Sequence, residues 1–562
     1  MWLWIASWLL IIATGQTPIV VSAATTEPTY TAAQIQQLNE ALAMNNQGFL
    51  ACQAGRFAEA IACAQKSIAL RKAVLGDSHP HYALSVHNLG DFCRESSDFA
   101  KAEPAYVEAM AAYKRALGDQ SFEYARSAEH LANMHFRKKE YAKAEPFYLL
   151  AAGIYRKAGD QDPQYYSALS WLALAYEEMA QSTKAESLYL QLMEIERARH
   201  GDQHVDFAVA MSNLALHYVR AGEYTKAEPF LLREVEIKRK VLGEQNADYA
   251  EALTSLAQNY GNTGRYEMAE PLARRAVEIK RKALGERNPS FEKSLTNLAV
   301  IYAHLGEYGK AESLYIQALE ICKSTLGETH PEYAIGLNNL AVLYVEIGNP
   351  AKAEQLYLRS LEIDSNFSGK LTPGYASTLG NLSELYHRSG DYSRAVVLDL
   401  QSLEIARITL GEKHPQYALA LNHLAESYRG LRDYTKAEPL YLQSLEIERG
   451  SGAEHHPIYA DSLHNLALMY RYKGDYAKAE PLFLQALEID KKVFSQQNII
   501  NATKLKNLAL LYALKGDPSR AESLGRQTLT ILREHRSAWR YCNPNASNWN
   551  SIAIAGSIST RI

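Results

Sequence analysis

Histidine offers the first candidates for chemistry. His79, His81 and His87 lie close together, and so do His455 and His456. The chain has no HExxH pair, and its five cysteines (Cys52, Cys63, Cys93, Cys322 and Cys542) form no CxxC and no zinc spacing. Cys52 and Cys63 fall on the two helices of one repeat, where they read either as a facing pair or as small buried apolar residues. Histidine recurs directly before proline, at His79, His330, His414 and His456. Recurrence at one position predicts a structural hydrogen bond that shapes the loop before a helix. Other reactive arrangements are missing from the sequence. There is no phosphate loop (Ser368-Gly369-Lys370 lacks the upstream glycine), no GxSxG elbow and no dinucleotide glycine fingerprint. The expectation is a non-enzyme that takes no metal and no cofactor.

Two polar series suggest binding instead. Asparagine recurs at Asn46, Asn88, Asn213, Asn297, Asn339, Asn381, Asn465 and Asn507; in one further case Asn422 stands a place early, with His423 at the usual position. An amide donates and accepts at once, which suits a peptide main chain and equally suits a bond to a neighbouring repeat. A second set, Arg220, His387, Arg388, Arg429, Arg471 and Tyr472, falls near the ends of predicted helices. Arginine grips carboxylates in a forked geometry, so this set would suit an acidic peptide. The alternative is solvated charges at helix C-termini, where the dipole favours them.

The elements that carry these residues follow from a repeat. The alanine of a recurring Lys-Ala-Glu appears twelve times between Ala60 and Ala521, always 42 residues apart except for one step of 41 between Ala144 and Ala185. A fixed period of this size means stacked supersecondary units. In the unit from Leu410 to Arg449, Tyr417, Leu421, Leu424, Ala425 and Tyr428 form one apolar helical face, and Ala437, Leu440, Tyr441, Leu445 and Ile447 form another after a break. Each unit is therefore a pair of antiparallel helices, A and B. Leu on helix A, as at Leu340, is followed one turn later by Tyr, as at Tyr344, and both face the small alanine of helix B. The repeats account for 36 Tyr against 13 Phe. Gly348, Gly390 and Gly474 end A-helices, Asp391, Asp433, Asp475 and Asp517 begin B-helices, and Pro104, Pro146, Pro229, Pro271, Pro439 and Pro481 lie early in B-helices, where a missing N–H costs least. The Lys of the repeat, as at Lys143, Lys226, Lys436 and Lys478, reads as an exposed charge.

The pattern LG-x-x-HP-x-Y-A, N-x-L-A-x-x-Y, G-D-Y-x-K-A-E-P-L-Y and then A/S-L-E-I resembles the tetratricopeptide repeats of the long, kinesin-light-chain-like kind. It is fullest over residues 326–363, 410–447 and 453–489, and the resemblance covers about residues 38–535. It implies an all-α, right-handed superhelical solenoid of about twelve helix pairs. The concave face, lined by A-helices, would bind an extended protein or peptide segment. By the same resemblance Asn297, Asn339, Asn381, Asn422, Asn465 and Asn507 would hold a bound main chain. Similar bacterial arrays often precede a CHAT-type peptidase domain, so the alternative reading is a regulatory or truncated module of such a protease system.

Two places break the pattern. The short step falls near Gly159–Pro163, where the next turn also reads Ala180-Gln181-Ser182, and Asp364–Pro373 replaces the His-Pro loop. Each predicts a local bend or looser loop. Residues 1–23 read as a signal peptide: an uncharged apolar stretch from Trp2 to Thr14, then Val21 and Ala23 at a cleavage position. No Lys or Arg precedes the stretch, which leaves an uncleaved N-terminal anchor as the alternative. The expectation is an exported, periplasmic or secreted, bacterial protein with no membrane span in the mature chain. Residues 537–562 lose the period and read as an irregular tail. A net charge of −4 argues against a nucleic-acid partner.

Overall fold

The structure is a computed structural model that describes residues 30–367, 369–494 and 499–534. The proposed signal peptide, the irregular tail, Cys542 and Ser368 lie outside the described residues. Those described residues form twelve consecutive helix pairs, from Ala32–Gln53 with Phe57–Leu75 to Ile499–Leu514 with Pro518–Glu534, and no strand. The chain divides into two compact units, residues 1–134 and 135–562.

Packing within a pair follows from side-chain size. The repeat alanine of helix B has no exposed surface at Ala60, Ala102, Ala144 or any of its successors through Ala479. Helix A therefore comes close, and Leu340 and Tyr344, like their equivalents Leu466 and Tyr470, are buried. In several repeats a buried serine ties helix B to helix A: Ser360, Ser402 and Ser444 donate to the carbonyls of Ala334, Ala376 and Ala418 at 2.9, 3.0 and 2.8 Å. Removing a core leucine would cost about 2–5 kcal/mol in lost transfer energy and cavity formation.

Adjacent repeats are stapled by a bond that the sequence reading missed. The helix-A tyrosine donates to the glutamate of the preceding repeat's Lys-Ala-Glu, as from Tyr218 to Glu186 at 2.7 Å, Tyr302 to Glu270 at 2.9 Å, Tyr386 to Glu354 at 2.7 Å and Tyr470 to Glu438 at 2.8 Å. The recurring separation of 32 residues is the signal that would have revealed it. The lysine between them is more than a surface charge. Lys226, Lys436 and Lys478 lie over the rings of Tyr218, Tyr428 and Tyr470, 5.3, 5.0 and 5.0 Å from their centres. Lys143 instead pairs with Glu140 at 3.4 Å.

The helix ends follow the predicted chemistry. The Nδ1 atoms of His79, His330, His414 and His456 accept from the backbone N–H two residues on, at 3.1–3.2 Å, and His204 does the same. Asp162, Asn246, Asn288 and Thr372 cap the equivalent helices. Asp391, Asp433, Asp475 and Asp517 cap B-helices through the N–H three residues later.

Three expectations need correction. The prolines of the B-helices sit at the sixth helical residue, past the free amides of the first turn, so the missing N–H there interrupts the hydrogen-bond ladder. The turn at Ala180 is not loose. It keeps the bonds of the glycine turns, with Gln181 N–H donating to Tyr176 O at 2.8 Å, and holds Ala180 at φ 56°, in the left-handed region. The short step is absorbed where helix Tyr141–Tyr155 tightens into a 3-10 turn over Arg156–Ala158.

Within the second unit, distant repeats also touch. The His456 ring lies against Gly222, so close that a Cβ there would stand 2.6 Å from the ring, and Lys139 Nζ donates to Thr409 O at 3.4 Å. Successive turns of this solenoid therefore rest on each other. None of the described helices is long and apolar enough to cross a membrane.

Candidate functional site

The A-helices of repeats five to eight (Val205–Arg220, Ala247–Asn262, Pro289–His304 and Pro331–Ile347) line two hollows. One, of about 600 Å³, is bordered by Ser212, Ser255, Gln258, Asn262, Asn297 and, from repeat twelve, Ile500. The other, of about 310 Å³, is bordered by Thr254, Gln258, Thr296, Asn297 and Asn339, with Glu251, Lys280, Glu292, Lys293 and Glu332 supplying charge of both signs. Asn297 lines both, and Asn297 and Asn339 make no side-chain hydrogen bond among the described residues.

Five of the other asparagines are used by the stack, while Asn46 and Asn213 are exposed and make no side-chain hydrogen bond among the described residues. Asn381 donates to Asn338 at 3.0 Å, Asn465 to Asn422 at 3.0 Å, and Asn507 bonds His464 Nε2 at 3.1 Å, each reaching back 43 residues. Asn88 and Asn45 form the same rung in the first unit, at 2.6 Å. Asn422 is thus not a displaced member of the series. It occupies the accepting position of the rung and also donates to Ser462 at 2.7 Å. Ser462 in turn donates to Glu448 at 2.8 Å. Burial pushes the Glu448 carboxyl up to about 7.

The cationic set divides as well. Arg429 and Arg471 flank the ring of Tyr472, 5.6 and 4.9 Å from its centre, and Tyr472 is 58% exposed. Arg471 also donates to Asn507 at 3.1 Å, and Arg429 pairs with Glu426 at 2.6 Å. Arg388 is held elsewhere, between Glu346 at 2.8 Å and Glu384 at 3.1 Å. The structure therefore links Asn507, Arg471, Tyr472 and Arg429 in one chain of contacts, pairs Asn422 with Asn465 in a second, and places Asn297 and Asn339 at the hollows. These arginines already hold carboxylates or amides of the chain, so an incoming acidic group would compete with internal partners.

His387 does not join any of these. Its Nε2 lies 2.6 Å from Ser427 Oγ and 3.6 Å from Asp399, and its Nδ1 lies 3.3 Å from Glu384. Ser427 donates to Asp399 at 2.5 Å. Burial pulls His387 down, but hydrogen bonds to Asp399 and Glu384 and the charge of Glu426 outweigh it and raise it to about 9. It is a buried imidazolium, not a groove residue.

A comparable centre in the first unit escaped the sequence reading. His87 and Asp91, one turn apart on helix Pro80–Glu95, meet His130 of the next A-helix. Asp91 Oδ1 accepts from His130 Nδ1 at 2.7 Å and from Tyr106 at 2.6 Å; Asp91 Oδ2 lies 3.4 Å from His87 Nε2. Burial pushes His87 down to about 4, against the pull of Asp91. The four described cysteines carry free thiols, and burial raises each of them.

Comparison with known proteins bears on the fold. No curated protein matches the sequence. Among solved structures the chain is similar to BtubC (BKLC) from P. vanneervenii (25% identity, TM-score 0.34, 40% of this chain and 91% of that one). It is likewise similar to a kinesin light chain of nearly identical TPR-like repeats from Podosopora anserina (25% identity, TM-score 0.32, 37% and 98%). A third is a Rap protein complexed with competence and sporulation factor (15% identity, TM-score 0.45, 66% and 99%). The tetratricopeptide repeat pattern matches eight overlapping stretches: residues 39–115, 83–157, 164–238, 206–282, 291–366, 374–450, 416–492 and 459–534. With its twelve helix pairs and this match along nearly all of them, the chain belongs to the tetratricopeptide repeat family.

Proposed function

We propose that this protein is a binding scaffold that takes an extended segment of a partner protein along its A-helices, with Asn297 and Asn339 as the main-chain contacts. The observation that carries this reading is the pair of adjoining hollows that share Asn297. The two amides there have donors and acceptors to offer a peptide backbone, while Asn381, Asn465 and Asn507 bond the stack. The mixed charge around Asn339 favours a segment carrying both carboxylates and amines. The exposed Tyr472 between two arginines is a second contact, suited to a carboxylate beside an apolar side chain. We further propose that the protein works outside the cytoplasm, on the strength of the apolar stretch from Trp2 to Thr14 and the small residues at Val21 and Ala23.

Selection of displayed peptides on the full-length protein tests the binding reading. Enriched peptides should lose at least about tenfold in affinity for Asn297→Ala/Asn339→Ala, the scale of one or two main-chain hydrogen bonds, with an unchanged circular dichroism spectrum. Equal binding to that variant would reject the two asparagines as contacts. N-terminal sequencing of the protein from its source would show Ala24 first if the leader is removed, and Met1 if it is kept.

A further inference from the structure

The His87 centre gathers two imidazoles and a carboxylate on neighbouring A-helices of the first unit. Ser127 Oγ lies 2.9 Å from His87 Nδ1 and 3.0 Å from Glu123 O, so it can accept the Nδ1 proton while donating its own to the carbonyl. In that tautomer His87 keeps a lone pair on Nε2. Nε2 faces Asp91 Oδ2 at 3.4 Å. The His87 side chain is 3% exposed, so the pair is shielded from bulk water. His130 completes the group, and one ligand atom from each residue falls within 4.8 Å of the others.

We propose that His87 Nε2, Asp91 and His130 Nδ1 form a three-ligand site for a borderline divalent metal ion such as Zn²⁺. Two bonds of about 2.0 Å at a tetrahedral angle put ligand atoms roughly 3.3 Å apart, and the His87–Asp91 separation of 3.4 Å already has that value. His130 stands closer, 2.7 Å from Asp91, because it now donates a proton there. An ion takes the place of that proton, which passes to His130 Nε2 or to solvent. Two imidazoles and one carboxylate suit Zn²⁺, Ni²⁺ or Cu²⁺ rather than Mg²⁺ or Ca²⁺. His130 is the most exposed of the three, at 21%. The supporting shell matches what metal-bound histidines use: His87 gives its other N–H to Ser127, and Tyr106 donates to the carboxylate. Arg94, 3.5 Å from Asp91 Oδ1, opposes added positive charge and limits the affinity.

The test is titration of the tag-free, chelator-stripped full-length protein with Zn²⁺ alone, against a competing chromophoric chelator. One ion per chain is expected. It should be lost in His130→Ala and kept in His204→Ala, which removes a ligand from the exposed His200–His204–Asp206 group. Ser127→Ala should weaken binding about tenfold, the scale of a lost supporting bond. Unchanged stoichiometry in His130→Ala, loss in His204→Ala, or no uptake by the unaltered protein would overturn the proposal. If His130→Ala fails to fold, X-ray absorption of the zinc-loaded unaltered protein decides. Two imidazoles and a carboxylate support the site, and any other ligand set refutes it.

Discussion

His87 and His387 are built from the same parts, yet one favours the neutral ring and the other the charged one. Each lies on an A-helix, each is nearly buried, each bonds a serine 40 residues on, and each has an aspartate within 3.6 Å. Burial disfavours the charged ring in both. The difference comes from the rest of the shell. Around His87 the single carboxylate of Asp91 is shared with His130, Arg94 and Tyr106. Around His387 stand Asp399, Glu384 and Glu426. Asp399 is the decisive substitution, because the helix-B position it fills holds tyrosine at Tyr106 and Tyr441. The solenoid thus fixes where a histidine sits, while one neighbouring residue per repeat decides whether it is a base or a cation.

The strongest way to break this contrast is Asp399→Asn. It removes the fully buried carboxylate and leaves His387 without its main counter-charge. Unfolding in urea should show a loss of about 3–5 kcal/mol at pH 7, and NMR should place the His387 titration well below its raised value. A loss under about 1 kcal/mol would mean that Glu384 and Glu426 suffice.

The pH profile comes next. A histidine raised to about 9 in the fold and near 6.5 in the unfolded chain binds its proton more tightly when folded. Its contribution is present below pH 6.5 and is lost as pH rises through about 9. The protein should therefore lose about 3 kcal/mol across that window, and His387→Gln should flatten the loss. A profile equally steep in the variant would assign the loss elsewhere.

Serine truncation sharpens the comparison. Ser427→Ala cuts bonds to both an imidazolium and a carboxylate and should cost about 2 kcal/mol. Ser127→Ala cuts a bond to a neutral ring and should cost about 1 kcal/mol. Reversal of that order in chemical denaturation would contradict the assigned charge states. The smallest effect belongs to Glu426→Gln, which acts on His387 by charge alone and should cost less than about 1 kcal/mol.

The fold was legible because one set of residues repeats. The spacing of alanine located every pair, and proline, histidine, aspartate and glycine marked the helix ends. The turn at Ala180 was misread because its bonds are backbone bonds, which survive the loss of glycine with the residue driven to positive φ. The candidate site was less legible. Asn297 and Asn381 occupy one register and look alike in sequence, yet only Asn381 meets a partner, because repeat eight supplies Asn338 while repeat six supplies Thr254 or Ser255 near that position. His87, Asp91 and His130 were missed for a related reason. Their meeting depends on the offset between neighbouring A-helices, and single-repeat periodicity does not show it.

The ring of His456 resting on Gly222 gives the second unit a mechanical property. Stacked pairs joined only to their neighbours behave as an open spring, whose pitch changes at little cost. A contact between repeats five and eleven works as a clasp: the coil cannot lengthen until it opens, and any guest that needs more room along the axis must supply the work. A bulkier residue than glycine at position 222 would hold the clasp ajar, turning a stiff rod into a compliant one with every helix pair still intact.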